Sequence, residues 1–288
     1  NIMKCRHCDE ELKHTFIDLG SSPPSNAYLT KKTLKKPEIW YPLEVMVCDC
    51  CWLVQTNDFV KADEMFANDY AYFSSYSTSW LKHAKSYVEQ VSSKFNLNSE
   101  STVVEIAAND GYLLQYVKDK NIPCYGIEPT HSTAQSAREK GIEIIEDFFG
   151  VDIASSLEKQ GRQANLMVAN NILAHVPDIN DFVKGFSILL KPNGVATFEF
   201  PHVLNLINNN QFDTIYHEHF SYLSLTAVCN IFGFNGLTVF DVEQIPTHGG
   251  SLRIYAQRSD FGNHKVNTNV FDLRRKEDQA GISSIELY

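Results

Sequence analysis

The sequence contains no apolar run long enough to cross a bilayer and no charged-then-apolar leader, so the expectation is a cytoplasmic protein without a membrane partner. It has no dense basic cluster, and a net charge of −10 argues against nucleic acid as a partner. It has no internal repeat and no low-complexity segment. It also lacks G-x-G-x-x-G, the glycine-rich turn whose backbone closes on a pyrophosphate, which argues against a dinucleotide site. What is present is ordinary for a globular protein: 43% hydrophobic and 21% charged residues over 288 positions, enough for a sizeable core and more than one domain. Four of the seven cysteines fall in two C-x-x-C pairs while Cys50, Cys124 and Cys229 are scattered, a usage that fits a reducing compartment.

The chain is organised around residues 102–128. Thr102 to Ile106 is a β-branched apolar run and predicts a buried strand. Ala107-Ala-Asn-Asp-Gly111 is a small-residue turn in which Asn109 or Asp110 can cap a helix and Gly111 permits a tight bend. Tyr112, Leu113, Tyr116 and Val117 repeat at helical spacing, and Cys124 to Ile127 is a second short strand that stops at Glu128-Pro129. Strand, turn, helix and strand make the first unit of a doubly wound sheet, which binds its ligand at the carboxyl ends of the strands. A turn without a glycine-rich cradle suits a ligand without phosphate, and S-adenosylmethionine is such a ligand. Glu105 is placed to face its ammonium side and Glu128 to accept from both ribose hydroxyls. The plainer alternative is a βαβ unit with two solvated carboxylates.

The two pairs, Cys5-Arg-His-Cys8 and Cys48-Asp-Cys-Cys51, can together complete a tetrahedral four-cysteine zinc site. Four protein ligands leave no open position, so the metal's role is in folding; His7 and Cys50 are bystanders. Strands are expected at Phe16–Gly20 and Tyr41–Val47. Residues 57 to about 100 read as helical, with Trp80 to Phe95 a long amphipathic helix. The hydroxyl-rich stretch from Tyr70 to Ser79 either lines a polar pocket or merely connects domains. Downstream, helices are expected at Ser132–Lys140, Asp181–Leu190 and Ser224–Phe232. Strands are expected at Ile142–Ile145, Ala164–Ala169, Val195–Phe200, Gly236–Gln244 and Ser251–Gln257. Pro192-Asn-Gly194 acts as a stop, Thr247-His-Gly-Gly250 as a hairpin turn, and Arg274 to Leu287 reads as a final helix. Asp147 is placed to meet an adenine amino group with Phe148 against the ring, and Asn170 and Asn171 form a polar exit from a central strand.

Tyr216-His-Glu-His219-Phe-Ser-Tyr222 is the most polar run in an apolar region. His-Glu-His lacks the i, i+4 spacing of a zinc protease, so acid–base chemistry is favoured over metal binding. A histidine titrates near neutrality, a glutamate can orient it, and a tyrosine can hydrogen-bond an oxyanion.

Glu105-Ile-Ala-Ala-Asn-Asp-Gly111 with Gly126-Ile-Glu128-Pro129 resembles class I S-adenosylmethionine methyltransferases. More narrowly, the paired cysteine knuckles at 5–51, the YHEHFSY run at 216–222 and the Thr-His-Gly-Gly-Ser-Leu-Arg hairpin at 247–253 make the chain similar to sugar C-methyltransferases that act on nucleotide-linked ketodeoxysugars. The resemblance covers nearly the whole chain; Ala107 and Asn109 stand where the general motif has glycines. It implies an α/β chain with a seven-stranded Rossmann-like mixed sheet and a small zinc domain before it. The division would be 1–65 zinc-binding, 66–98 helical connector, 99–258 cofactor-binding core, and 259–288 the start of an incomplete carboxy-terminal region, since the family usually carries a further Rossmann-like domain there.

The implied substrate is a dTDP-linked 4-keto-6-deoxysugar, methylated at C3 through an enolate, by a cytoplasmic enzyme that leans towards a monomer. The resemblance makes His219 the base, assisted by Glu218, with Tyr216 and His175 stabilising the enolate oxygen or orienting the sugar. Tyr72, Ser75, Tyr76, Thr78, Asn171, His175, Tyr216, His217 and Tyr222 would meet the substrate. Glu105, Ala107, Asn109, Gly111, Glu128, Pro129, Asp147, Phe148 and Asn170 would meet the cofactor. Cys5, Cys8, Cys48 and Cys51 would hold zinc. An O-methyltransferase and a non-catalytic binding module are the alternatives.

Overall fold

In the computed structural model, residues 2–25, 29–57 and 73–288 are described. Two sheets organise them. The larger has seven strands: β4 (Val103–Ile106), β5 (Cys124–Ile127), β6 (Glu143–Ile145), β7 (Ala164–Asn170), β8 (Leu190–Pro201), β10 (Leu237–Ile245) and β11 (Ser251–Arg258), in the order β10-β11-β8-β7-β4-β5-β6. β4 to β8 run parallel, while β11 is antiparallel to β8 and β10. The order reverses at β4, whose neighbours β5 and β7 leave a crevice at their carboxyl ends. Continuous apolar strands such as Leu166–Ala169 are what a sheet buried on both faces requires.

Helices cover the two faces, among them Thr78–Lys94, Leu114–Asp119, His131–Glu139, Ile179–Leu189 and Leu225–Phe234. Ile179–Leu189 is held by Phe182 and Phe186, which pack with Phe149, and Phe186 goes on to meet the fully buried Phe198 of β8. Burying each such ring contributes roughly 1.5–3 kcal/mol. This aromatic stack fixes the wall beside the crevice.

The smaller sheet joins β1 (His14–Ser22), β2 (Tyr41–Val47), β3 (Val54–Thr56) and β9 (Ser221–Tyr222) in that order, all antiparallel. Its fourth strand belongs to the YHEHFSY run, so the cysteine module and the polar run share one sheet. The Thr56 N–H donates to the Phe220 carbonyl (3.1 Å), and the Thr56 hydroxyl donates to the His219 carbonyl (3.0 Å).

The structure corrects two expected elements. The final helix runs Thr268–Ala280, not 274–287: Asn267 caps its start by accepting from the Asn269 N–H, and Gly281 ends it at φ 90°, a conformation that glycine adopts without penalty. The 192–194 stretch is no stop, because β8 begins at Leu190 directly after the preceding helix. The expected start of helix at Lys61 lies outside the described residues.

Candidate active site

The four cysteines come together as the spacing suggests. The two knuckles are the same turn built twice. The Asp9 N–H donates to the Cys5 carbonyl and the Cys5 N–H to the Glu10 carbonyl; the Trp52 N–H donates to the Cys48 carbonyl and the Cys48 N–H to the Leu53 carbonyl, all at 2.8–3.0 Å. Asp9 and Trp52 take left-handed φ of 63° and 64° to turn the chain after each pair. The Cys5 and Cys51 sulfurs lie 3.5 Å apart, as do those of Cys8 and Cys48, and all four lie within 4.8 Å of one another. Zinc with four bonds of about 2.3 Å needs sulfurs about 3.8 Å apart, so the site fits a closed four-thiolate zinc. His7 faces away, with its Nδ1 2.8 Å from Asn180 Oδ1.

At the carboxyl ends of β4, β5 and β7 lies a cavity of about 890 Å³. Ala107, Asn109, Glu128, Pro129, Asp147, Phe148, Asn170, Asn171, His175, Tyr216 and His219 all line it, so most of the sequence-derived candidates meet in one space.

One end is built on the turn after β4. Ala107 and Asn109 adopt φ of 55° and 49°, left-handed values that the general motif meets with glycine. Hydrogen bonds offset this strain at Asn109: its N–H donates to Glu128 Oε2 (2.9 Å), and its Oδ1 accepts from the N–H groups of Ser74 and Asp110, each at 2.9 Å. Glu128 Oε1 accepts from the Thr130 N–H (2.9 Å). Burial raises the Glu128 carboxyl, and the Thr130 and Asn109 N–H groups oppose that rise. Each carboxylate oxygen thus holds one backbone N–H, and a carboxylate offers roughly four acceptor positions in all. Asn170 is buried with neither side-chain polar atom bonded to the described residues, as expected of a group that awaits a ligand. Asp147 holds the N–H of Phe148, whose ring is 55% exposed at the rim.

Glu105 and Gly111 do not line the cavity. Glu105 is one residue too deep in its strand: it is 1% exposed beneath the turn, near Tyr112, and burial drives its carboxyl well above the usual range. Gly111 serves close packing instead. At φ 74°, a Cβ there would stand 2.5 Å from Ile142 Cδ1.

The other end carries the polar run. The Thr214 carbonyl can only accept, so His219 Nδ1 donates to it (2.8 Å); Nε2 of the neutral ring then accepts from the Tyr216 hydroxyl (2.8 Å). Burial, reinforced by His175, pushes the His219 imidazole down to about 3. His175 lies beside it, ring centroids 4.6 Å apart, with its Nδ1 donating to the Glu218 carbonyl (2.9 Å). Burial lowers the His175 pKa as well.

Six expected positions need correction. Glu218 does not orient His219: its carboxylate accepts from Ser25 (2.5 Å), which also lines the cavity, and Thr214 does the orienting. His217 turns to the Tyr41 and Pro42 carbonyls of β2, and Tyr222 is buried beyond the main cavity. Ser75, Tyr76 and Thr78 are outside the lining; Tyr76 is 80% exposed and stacked on Phe73. Tyr72 lies outside the described residues. Sequence reasoning passed over Ser74, Trp80, Tyr112 and His248, which do line the cavity. A histidine followed by two glycines in a hairpin was the one available signal for the last.

Comparison with known proteins gives this geometry its family. Residues 80–242 match the model of a methyltransferase domain, residues 5–66 that of a zinc binding domain, and residues 246–288 that of a C-methyltransferase C-terminal domain. The C-methyltransferase NovU of Streptomyces niveus is 31% identical over 287 residues, covering 100% of this chain and 68% of that protein. The chain belongs to the S-adenosylmethionine-dependent C-methyltransferases. The fold of this methyltransferase is shared with the PH0226 protein of Pyrococcus horikoshii OT3, at TM-score 0.54 and 14% identity over 65% of this chain and 94% of that one. It is shared also with a 1,6-didemethyltoxoflavin-N1-methyltransferase of Burkholderia thailandensis, at TM-score 0.52 and 14% identity over 72% and 96%. S-adenosylmethionine is the methyltransferase's cofactor and zinc its structural metal. Among the described residues no helix is long and apolar enough to cross a membrane.

Proposed function

We propose that this methyltransferase transfers a methyl group to C3 of a dTDP-linked 4-keto-6-deoxysugar in deoxysugar biosynthesis. The observation that carries the reading is the Thr214–His219–Tyr216 chain of hydrogen bonds facing the same cavity as the β4 turn. A C–H bond next to a ketone needs a base and a stabilised enolate, and little else from the protein once the methyl donor is in line. S-adenosylmethionine supplies the activated methyl group. Ala107, Asn109, Glu128, Pro129, Asp147, Phe148 and Asn170 would hold it, with Glu128 on the ribose and Asp147 near the adenine. Glu105 would act through the turn rather than by contact.

His219 is the base. Its Nε2 already accepts from Tyr216, so a proton taken from C3 by the tyrosine oxygen passes on to the imidazole as the hydroxyl proton moves. An imidazole pushed down to about 3 is a weak base in the free protein, and the hydrogen bond it accepts from Tyr216 lets the pair take up the incoming proton together. His175 and Asn171 would contact the sugar. A cavity of about 890 Å³ stands near the top of the ~300–1,000 Å³ range for small-molecule sites, which suits a cofactor with an acceptor beside it.

The test is turnover of dTDP-4-keto-6-deoxyglucose and its 2-deoxy analogue, deuterated at C3. A C-methyl product that has lost the C3 deuterium is expected; an O-methyl product that retains it overturns the reading. His219→Ala should lower turnover about 10²–10⁴-fold while S-adenosylhomocysteine affinity stays within about twofold.

A further inference from the structure

The hairpin between β10 and β11 carries the least explained group in the cavity. Its His248 has φ 51° and ψ 41°, a left-handed conformation that histidine enters more readily than most residues but still at some cost. The surrounding bonds impose it. The His202 N–H and the Asn205 side chain donate to the Gly250 carbonyl (3.1 and 3.2 Å), Gln211 donates to the Gly249 carbonyl (3.0 Å), and Ser251 Oγ donates to the Thr247 carbonyl (2.9 Å). Gly249 and Gly250 take φ of 77° and 109°, which favour glycine, and a Cβ on either would displace the Gln211 or Asn205 amide that bonds the hairpin. The hairpin is therefore clamped, and the clamp holds the one histidine at its tip against the cavity.

That histidine sits between the two ends of the site. Its ring meets the edge of Trp80 at 5.4 Å, and Trp80 in turn stacks near Tyr112 of the cofactor turn. It lines the same cavity as Tyr216 and His219, and positive charge on its ring would oppose protonation of His219. Its imidazole makes no hydrogen bond within the described residues, whereas the polar hydrogens of Tyr216, His219 and His175 are each committed to a protein acceptor. The neutral ring carries one N–H to offer.

We propose that His248 is a catalytic residue, the hydrogen-bond donor to the acceptor's carbonyl oxygen. This rests on the ketone reading above. As the C–H bond at the α carbon breaks towards Tyr216 and His219, its electron pair moves onto the carbonyl oxygen, and the His248 N–H holds that charge without giving up its proton. The pair then returns to form the new carbon–carbon bond to the methyl group as the sulfur–methyl bond breaks, and the ketone is restored. A neutral imidazole is a competent donor for such an oxygen.

Two variants separate this role from a structural one. His248→Gly removes the ring and relieves the backbone, so its Tm should equal the wild-type value or rise by up to about 3 °C. Exchange of the substrate's α proton with deuterated solvent should meanwhile fall about 10²–10³-fold, followed by NMR on the two keto sugars with S-adenosylhomocysteine bound. His248→Asn, which tolerates the same φ and keeps an amide donor, should recover part of that rate. Wild-type exchange in His248→Gly overturns the proposal and leaves the ketone reading intact. A glycine variant that melts well below wild type shows a structural role and also overturns it. Absence of exchange in the wild-type protein with both sugars overturns the ketone reading, and this proposal with it.

Discussion

The cysteine knuckles and the cofactor turn both bend the chain through left-handed residues that are not glycine, yet they hold that bend in different ways. At the knuckles, Asp9 and Trp52 are satisfied within a few residues, by hydrogen bonds that close each turn on its own cysteine. At the turn after β4, Asn109 depends on Ser74 and Glu128, thirty-five and nineteen residues away in sequence. One bend is local and waits only for a metal. The other is a junction that forms once the sheet has formed. The contrast teaches why a zinc module is portable while such a turn is not, although the module is tied to the polar run: its sheet ends in Ser221–Tyr222, two residues beyond His219.

The largest effect should come from the metal. Cys48→Ser, or prolonged chelation, should release zinc, whose binding energy is folding energy of about 10 kcal/mol or more. The β3–β9 pairing, and with it the Thr56 bond to the His219 carbonyl, should loosen. Metal analysis with melting and turnover would check this. A stable, active, metal-free variant would show that the two regions are independent.

Glu128→Ala should come next. It removes the acceptor of the Asn109 and Thr130 N–H groups as well as the candidate ribose contact, and calorimetry should find S-adenosylhomocysteine affinity lowered about 10–100-fold, since hydrogen bonds to a charged group count for roughly 1.5–3 kcal/mol. An unchanged affinity would leave Glu128 only a brace for the turn.

Acidification should separate the site from its surroundings. His219 is held neutral below its ordinary pKa, so the unfolded chain binds more protons than the folded one between about 6.5 and 3, and stability falls as pH falls through that window. His219→Gln should melt with a shallower loss from pH 7 to 4.5 than wild type; parallel curves would mean that His219 is not the group that costs stability in acid.

Asn109→Gly should have the smallest effect. Glycine suits φ 49° but loses the bond to the Ser74 N–H, and the two changes should nearly cancel, within about 1 kcal/mol of stability. A much larger loss would show that the asparagine side chain, rather than the backbone, holds the turn.

Much of the fold could be read from residue pattern because the parallel strands are short apolar runs between turn residues, and because the cysteine pairs signal their own geometry. The candidate cofactor residues at strand ends were legible for the same reason: the doubly wound sheet puts strand ends on one side. Glu105 shows the limit, since a single position along a strand decides between cavity and interior. Glu218 and His217 show another. In an irregular run, side-chain direction follows from partners such as Ser25, Tyr41 and Pro42, which lie far off in sequence.

By itself, then, the sequence determined the seven-stranded class, the clustering of the four cysteines and the crevice at the strand ends, each of which depends on short-range spacing or periodicity. Only the tertiary structure decided that the zinc module's sheet ends beside His219, that Thr214 rather than Glu218 orients that histidine, and that His248 reaches the same cavity from a distant hairpin. Those facts depend on contacts between segments far apart in the chain, whose approach is set by the packing of the whole core.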